Sequence, residues 1–151
     1  MTIRRASRDD AALLAEHRAA VWNEVGEWDF RDLAPQIPVW TAFFRERLAE
    51  GTYVAFVAED DGTPIGSGAV LVHLMIPRPD FESDRAGRVQ SVYVVPGARR
   101  SGIARAIMAH LLEYARAARL IALSLHPSDE ARGLYAALGF EAADEMVLRF
   151  T

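Results

Sequence analysis

Apolar residues along the chain follow two rhythms, short runs and alternations that suit strands and longer stretches repeating every three to four residues that suit helices. Residues 2–6 read as a short strand, after which Ser7 to Asp10 supply the hydroxyl and carboxylate groups that open a helix. Leu13, Leu14, His17 and Val21 then recur at helical spacing. Residues 22–38 lose the rhythm, with Trp28, Phe30, Pro35 and Pro38 set among acids, and the expectation is a loop bending over the body of the fold. A second helix is expected over 39–50, where Trp40, Phe43, Phe44 and Leu48 share a face and Gly51 gives a stop. The runs at 53–58 and 65–75 flank Asp61-Gly62, the strongest short-range signal for a hairpin.

Residues 76–87 carry two prolines and five charges and read as a long loop, followed by a strand over 88–95 that Pro96-Gly97 closes. The clearest helix spans about 103–119, with Ile103, Ile107, Leu111, Tyr114 and Ala118 on one face. An apolar run at 120–125 is short enough to be a buried strand. Strand, helix, strand implies a crossover, so 88–95 and 120–125 should lie parallel. A last helix is expected over 128–138, stopped by Gly139, with 146–150 as a closing strand. The class is therefore α/β, with a mixed sheet.

Composition narrows what such a fold could do. At 151 residues, 51% hydrophobic and 25% charged, the chain supports one core, and no repeat or linker divides it, so a single domain over 1–151 is expected. With no cysteine there is no thiolate nucleophile, disulfide or iron-sulfur site, and the four histidines show no metal-ligand spacing. A net charge of -4 gives no reason to expect nucleic acid or an anionic membrane as a partner. No apolar run is long enough to span a bilayer or serve as a signal, and the expected location is the cytoplasm.

Chemistry concentrates where the strand at 88–95 meets the long helix. A helix N-terminus exposes backbone N–H groups and roughly half a positive charge. Arg99, Arg100 and Arg105 stand at that end, where cations are unfavourable by about 0.3–1 kcal/mol each unless an anion arrives. Gly102 leaves the amides open to a phosphate and Ala104 keeps the next turn small. No GxxxxGK[ST] or GxGxxG motif is present. Taken alone, the segment could equally be an exposed loop with solvated arginines.

The wider pattern resembles a known family. Strand, Arg99-x-x-Gly102-x-Ala104, amphipathic helix, strand, and then Leu134-Tyr135-Ala136-Ala137-Leu138-Gly139-Phe140 is similar to the GNAT superfamily of acetyl-CoA-dependent N-acetyltransferases, in its pyrophosphate loop and its LY-x-x-LGF segment. The resemblance implies a central, mostly antiparallel sheet with one splayed parallel pair and helices on both faces. It implies acetyl-CoA as cofactor, its pyrophosphate on the amides of Arg100, Ser101, Gly102, Ile103 and Ala104, with Arg99 and Arg105 nearby. Its pantetheine arm would pair with the backbone of Val92, Tyr93 and Val94 as an added strand. Tyr135 would reach the thioester sulfur. Many members carry Asn where this chain has Ser128, which could hydrogen-bond the cofactor or be a plain helix cap. Residues 125–128, Leu-His-Pro-Ser, resemble a subgroup with an L-H-x-S stretch, and the chain after Phe140 has room for one strand where many members fit a hairpin.

The acceptor implied is a primary amine of a small molecule or peptide. Such an amine has a pKa near 10.4, so about one molecule in a thousand is neutral at pH 7 and a base or water chain must help. With no cysteine for an acyl-enzyme, direct attack is favoured. His126 at the end of its strand is the first candidate base and His73 the second, against the alternative that each is structural. His17 and His110 read as partly exposed structural positions on helices. Trp22, Trp28, Phe30 and Trp40, with the loop at 76–87, could wall an acceptor pocket or simply pack in the core. Glu24, Glu27, Asp29 and Asp32 suit a cationic acceptor or a solvated loop. A noncatalytic acyl-CoA-binding or regulatory domain is the alternative function. A homodimer is left open.

Overall fold

Asp61 and Gly62 fold the chain back on itself with both residues at positive φ, 48° and 78°, the geometry of a two-residue primed turn. They join β2 (Tyr53–Asp60) to β3 (Thr63–Leu74) in the expected hairpin. The computed structural model, which describes residues 1–26 and 28–150, adds β1 (Thr2–Arg5) outside β2 and β4 (Arg85–Val94) outside β3, all antiparallel. A fifth strand, β5 (Leu123–Ser124), lies parallel to β4, giving the order β1-β2-β3-β4-β5.

Helices cover both faces, which is why β2 and β3 are buried almost without alternation. On one side α1 (Ala11–Glu24) and α3 (Ile37–Glu50) pack Leu14, Ala15 and Phe44 against Tyr53, Ala55 and Ala69. On the other, α4 (Ile103–Ala117) buries Ile107, Met108 and Leu111 against Ala58, Val70 and Val89. A 3-10 turn, Arg8–Asp10, leads into α1 and is capped by the groups expected to open a helix: the Ser7 N–H donates to Asp10 Oδ2 at 2.8 Å, and Arg4 clamps the same carboxylate from β1. Gly87 is where β4 and β5 come together, since a Cβ there would stand 2.5 Å from Val70 Cγ1 and 2.7 Å from Leu123 Cδ2.

Four expectations are corrected. The segment 22–38 is largely helical: α1 runs on to Glu24, α2 (Phe30–Leu33) begins where Asp29 accepts from the Arg31 N–H at 2.9 Å, and a 3-10 turn at Ala34–Gln36 leads into α3. Pro35 and Pro38 each sit in a first turn, where the missing N–H costs nothing, so they start helical segments instead of breaking them. The strand at 120–125 contributes only Leu123 and Ser124 to the ladder. The last helix, α5 (Arg132–Ala137), begins four residues later than expected, and its cap position is Ala131, so Ser128 does not cap it. The closing strand at 146–150 is absent. A strand forms only by pairing its backbone, and among the described residues nothing pairs with 141–150, which leaves Met146, Val147, Leu148 and Phe150 between 62% and 95% exposed.

Candidate active site

The end of β4 and the start of α4 are shaped by a few local bonds. After Val94 a 3-10 turn, Pro96–Ala98, closes with the Ala98 N–H on the Val95 carbonyl at 2.9 Å. Ser101 Oγ donates back to the Ala98 carbonyl at 2.6 Å, and Arg100 and Gly102 both take left-handed backbone, φ 62° and 82°. Gly102 is the cap residue of α4 and offers no side chain to its first turn. A Cβ on Gly102 would meet nothing within 4 Å, so the space before these amides is open. Arg99 turns back: Nε donates to the Val94 carbonyl at 2.8 Å and a terminal nitrogen pairs with Glu24 at 2.5 Å, which raises its pKa. Arg100, Ser101 and Arg105 are exposed beside the open corner.

Beside that corner the sheet parts. β5 pairs with β4 at Gly87 and Arg88, just after the Ile121 N–H reaches the Arg85 carbonyl at 2.9 Å, and beyond Arg88 no described residue pairs with β4 on that edge. The Val95 N–H is committed to the Ile65 carbonyl on β3 at 2.9 Å, and strand alternation therefore turns the N–H and C=O of Val94, and of Val92 two residues earlier, toward the open edge. A bulge sharpens the effect. Ser67 pairs with Tyr93 but Ala69 pairs with Gln90, which gives β4 one extra residue, and Ser91 at φ 52° absorbs it. Val92, Val94, Ile103, Ala104 and Tyr135 meet in one apolar cluster. Tyr135 is half-buried, its ring 5.7 Å from that of Phe140, and burial pushes its hydroxyl pKa above the ordinary 10. His126 and Ser128 lie exposed on the segment leaving β5. His73 is exposed at the far end of β3, where its Nδ1 lies 3.0 Å from the Leu74 carbonyl oxygen.

Comparison with known proteins decides the family. Residues 16–140 match the Acetyltransferase (GNAT) family. The chain belongs to it. Among curated relatives it is 31% identical, over 115 residues that cover 72% of this chain and 68% of the other, to glucosamine 6-phosphate N-acetyltransferase 1 of Oryza sativa subsp. japonica. Its fold matches a GCN5-related N-acetyltransferase from Ralstonia eutropha JMP134 with TM-score 0.89 and 28% identity, covering 99% and 97% of the two chains. It also matches a predicted acetyltransferase from Clostridium acetobutylicum, solved with acetyl-CoA, with TM-score 0.88, 23% identity and coverage of 99% and 95%. This protein is thus an acyltransferase of the GNAT family, whose acetyl donor is acetyl-CoA. The residues present fit that donor: uncapped first-turn amides open to a diphosphate, and a strand edge that offers the Val92 N–H and C=O and the Val94 N–H to an extended arm, the Val94 carbonyl being taken by Arg99.

On the opposite face the expected aromatic group assembles in part. Trp22 lies 6.3 Å from Trp28 and 5.9 Å from Trp40, ring to ring, while Phe30 is exposed. The loop at 76–87 is elsewhere, with Phe81 under the Arg119 guanidinium. Of the acids expected there, Glu27 lies outside the described residues, Asp29 caps α2, and Glu24 holds Arg99.

Three features of this region escape sequence reading: the bulge at Ser91, the guanidinium of Arg18 between Trp22 and Trp40, and His17. His17 is buried, contrary to the expected partial exposure, because α1 turns it inward beneath β3, where its Nδ1 lies 2.6 Å from Ser67 Oγ. The helical repeat Leu13, Leu14, His17, Val21 did carry that signal. Burial without a counter-charge drops its pKa from 6.5 to about 4. The unfolded chain therefore takes up the proton first as pH falls, so this contribution to stability is complete above 6.5 and is lost between 6.5 and about 4. The loss should be about 2 kcal/mol at pH 5 and approach about 3 kcal/mol only below pH 4. Urea denaturation at pH 7.5 and pH 5 checks it, and in His17→Gln that part of the difference should vanish.

Proposed function

We propose that this single domain moves an acetyl group from acetyl-CoA to a primary amine of a small molecule or peptide, by direct attack within a ternary complex. The observation that carries the reading is the parting of β4 from β5 beyond Arg88 beside the uncapped start of α4. Amides from Arg100 through Ala104 would hold the pyrophosphate, with Arg100 and Arg105 supplying charge and Val92 to Val94 pairing along the arm. When bound, acetyl-CoA supplies a thioester carbonyl activated for attack and a thiol able to leave.

The chain's own groups do the rest. The Val94 N–H faces the open edge, where it can donate to an oxygen that gains charge. Tyr135 Oη, kept protonated by burial, can give a proton to the departing sulfur. His126, on the exposed stretch after β5, is proposed as the base that relieves the amine of its proton. Ser128 stands two residues on and is proposed to hydrogen-bond the cofactor. The reading is tested by incubating the protein with acetyl-CoA and a panel of amines, including amino sugars, amino acids and short peptides, and following free thiol and acetylated product by mass. Acetyl-CoA binding with no acetylated amine across the panel would overturn it.

A homodimer belongs to the same reading. Among the described residues the outer edge of β5 has no ladder partner, and beside it lies an open depression of about 370 Å³ lined in part by Leu120, Leu123, Leu138 and Phe140. The exposed apolar tail at 146–150 of a second copy would satisfy both. Sedimentation should give twice the chain mass, and deletion of 145–151 should give a monomer.

A further inference from the structure

Arg18 is a cation in an unusual setting. Its guanidinium carbon lies 4.7 Å from the Trp22 ring centre and 5.1 Å from that of Trp40, and one terminal nitrogen donates to Gln90 Oε1 at 3.2 Å and, weakly, to Ser91 Oγ at 3.4 Å. Among the described residues no carboxylate comes within 4.0 Å of it, and the acid nearest to it on the open end of the same helix, Glu24, is taken by Arg99. Arg18 is half-buried; arginine cannot escape burial by losing its proton, and a cation partly withdrawn from water without a counter-charge is costly. Two indole faces recover only part of that cost. Of five N–H donors, the structure commits those of a single nitrogen, to neutral oxygens, while the planar fork matches a carboxylate or phosphate.

Its position matters as much as its charge. Gln90 and Ser91 are the residues at the β4 bulge, immediately before Val92, so the guanidinium stands next to the strand edge on which the thioester arm is proposed to lie. The flanking walls come from α1 and α3, on the sheet face opposite α4.

We infer that Arg18, held between Trp22 and Trp40 at the β4 bulge, binds an oxyanion on the acceptor, so that the amine acetylated carries a carboxylate or a phosphate. This rests on the acetyltransferase reading and deepens it. The anion anchors the acceptor while its amino group remains free.

The test compares matched amines in the acetylation assay: amino acids against their amides, and amino sugars against their phosphates. The wild-type protein should favour the anionic member of at least one series by about tenfold to a hundredfold in kcat/KM. The series that shows the preference tells carboxylate from phosphate. In Arg18→Gln the ratio should collapse toward one, and Arg18→Lys, which keeps the charge but not the fork, should fall between. Equal use of neutral and anionic members by the wild type overturns the inference while leaving the acetyltransferase intact, and needs no variant. If no amine is acetylated, the acetyltransferase reading fails instead. The anion site is then decided by tryptophan fluorescence on titration with inorganic phosphate and with acetate. A saturable change with either anion in the wild type, absent in Arg18→Gln of unchanged melting temperature, supports it. No change with either anion overturns it.

Discussion

Gly102→Glu is expected to weaken acetyl-CoA binding by about a hundredfold or more, measured by titration calorimetry. Two effects act together. At φ 82° a side chain occupies left-handed backbone, which costs an L-residue roughly 1–2 kcal/mol. The larger effect is charge. A carboxylate carried at the cap of α4 would stand within a few ångströms of a pyrophosphate held by the first-turn amides, and two like charges about 4 Å apart near a protein surface repel by about 4 kcal/mol. That alone exceeds the roughly 2.7 kcal/mol of a hundredfold change. The empty variant should still fold, because an acid at a helix N-terminus stabilises the helix by about 0.3–1 kcal/mol and offsets part of the backbone strain. Gly102→Ala separates the two effects: it carries the strain without the charge and should keep binding within about tenfold of the wild type. An unchanged dissociation constant in Gly102→Glu would remove the pyrophosphate from this corner.

Much of this corner is legible in the sequence because its causes are local. Asp61-Gly62 specifies a turn from two residues, Gly51 at φ 84° ends α3 as expected, and the apolar stripe of 103–117 finds the sheet that its period promises. The parallel pairing of β4 and β5 follows from chain order and handedness alone. What failed depends on contacts distant in the chain. Residues 22–38 look irregular because Trp22 on α1, Trp28 in the bend before α2 and Trp40 on α3 pack on one another, which no single period reveals. The tail at 146–150 is an apolar run that reads as a strand, but such a run states that its side chains favour burial and not whether an edge is present to receive it. His17 shows the opposite case: its helical position is plain in the sequence, and its burial follows from the apolar stripe of Leu14 and Val21 that it shares, although histidine is a residue of intermediate burial in general. The bulge at Ser91 has no local signature, since Ser at positive φ is imposed by the register of Gly66 and Ala69 on the neighbouring strand.

The Tyr135→Phe variant is expected to turn over about ten to a hundred times more slowly, with the KM for acetyl-CoA within about twofold of the wild type. The ring remains, so its packing on Phe140 and the apolar cluster is kept and stability should change by less than about 1 kcal/mol. Only the proton is removed. General acids typically contribute about a hundredfold to ten-thousandfold, and an effect at or below the lower end applies here because a thiol of pKa near 8.5 leaves tolerably well unaided. Burial raises the pKa of the Tyr135 hydroxyl, so the acid is fully loaded at neutral pH and its loss should bend the wild-type rate downward only above pH 10. The Phe variant should lack that bend. A second readout separates chemistry from packing: with acyl donors whose thiols are more acidic, assistance matters less, so the deficit of Tyr135→Phe should shrink as the leaving thiol's pKa falls. A purely structural tyrosine would give the same deficit with every donor, and that result would return Tyr135 to the core.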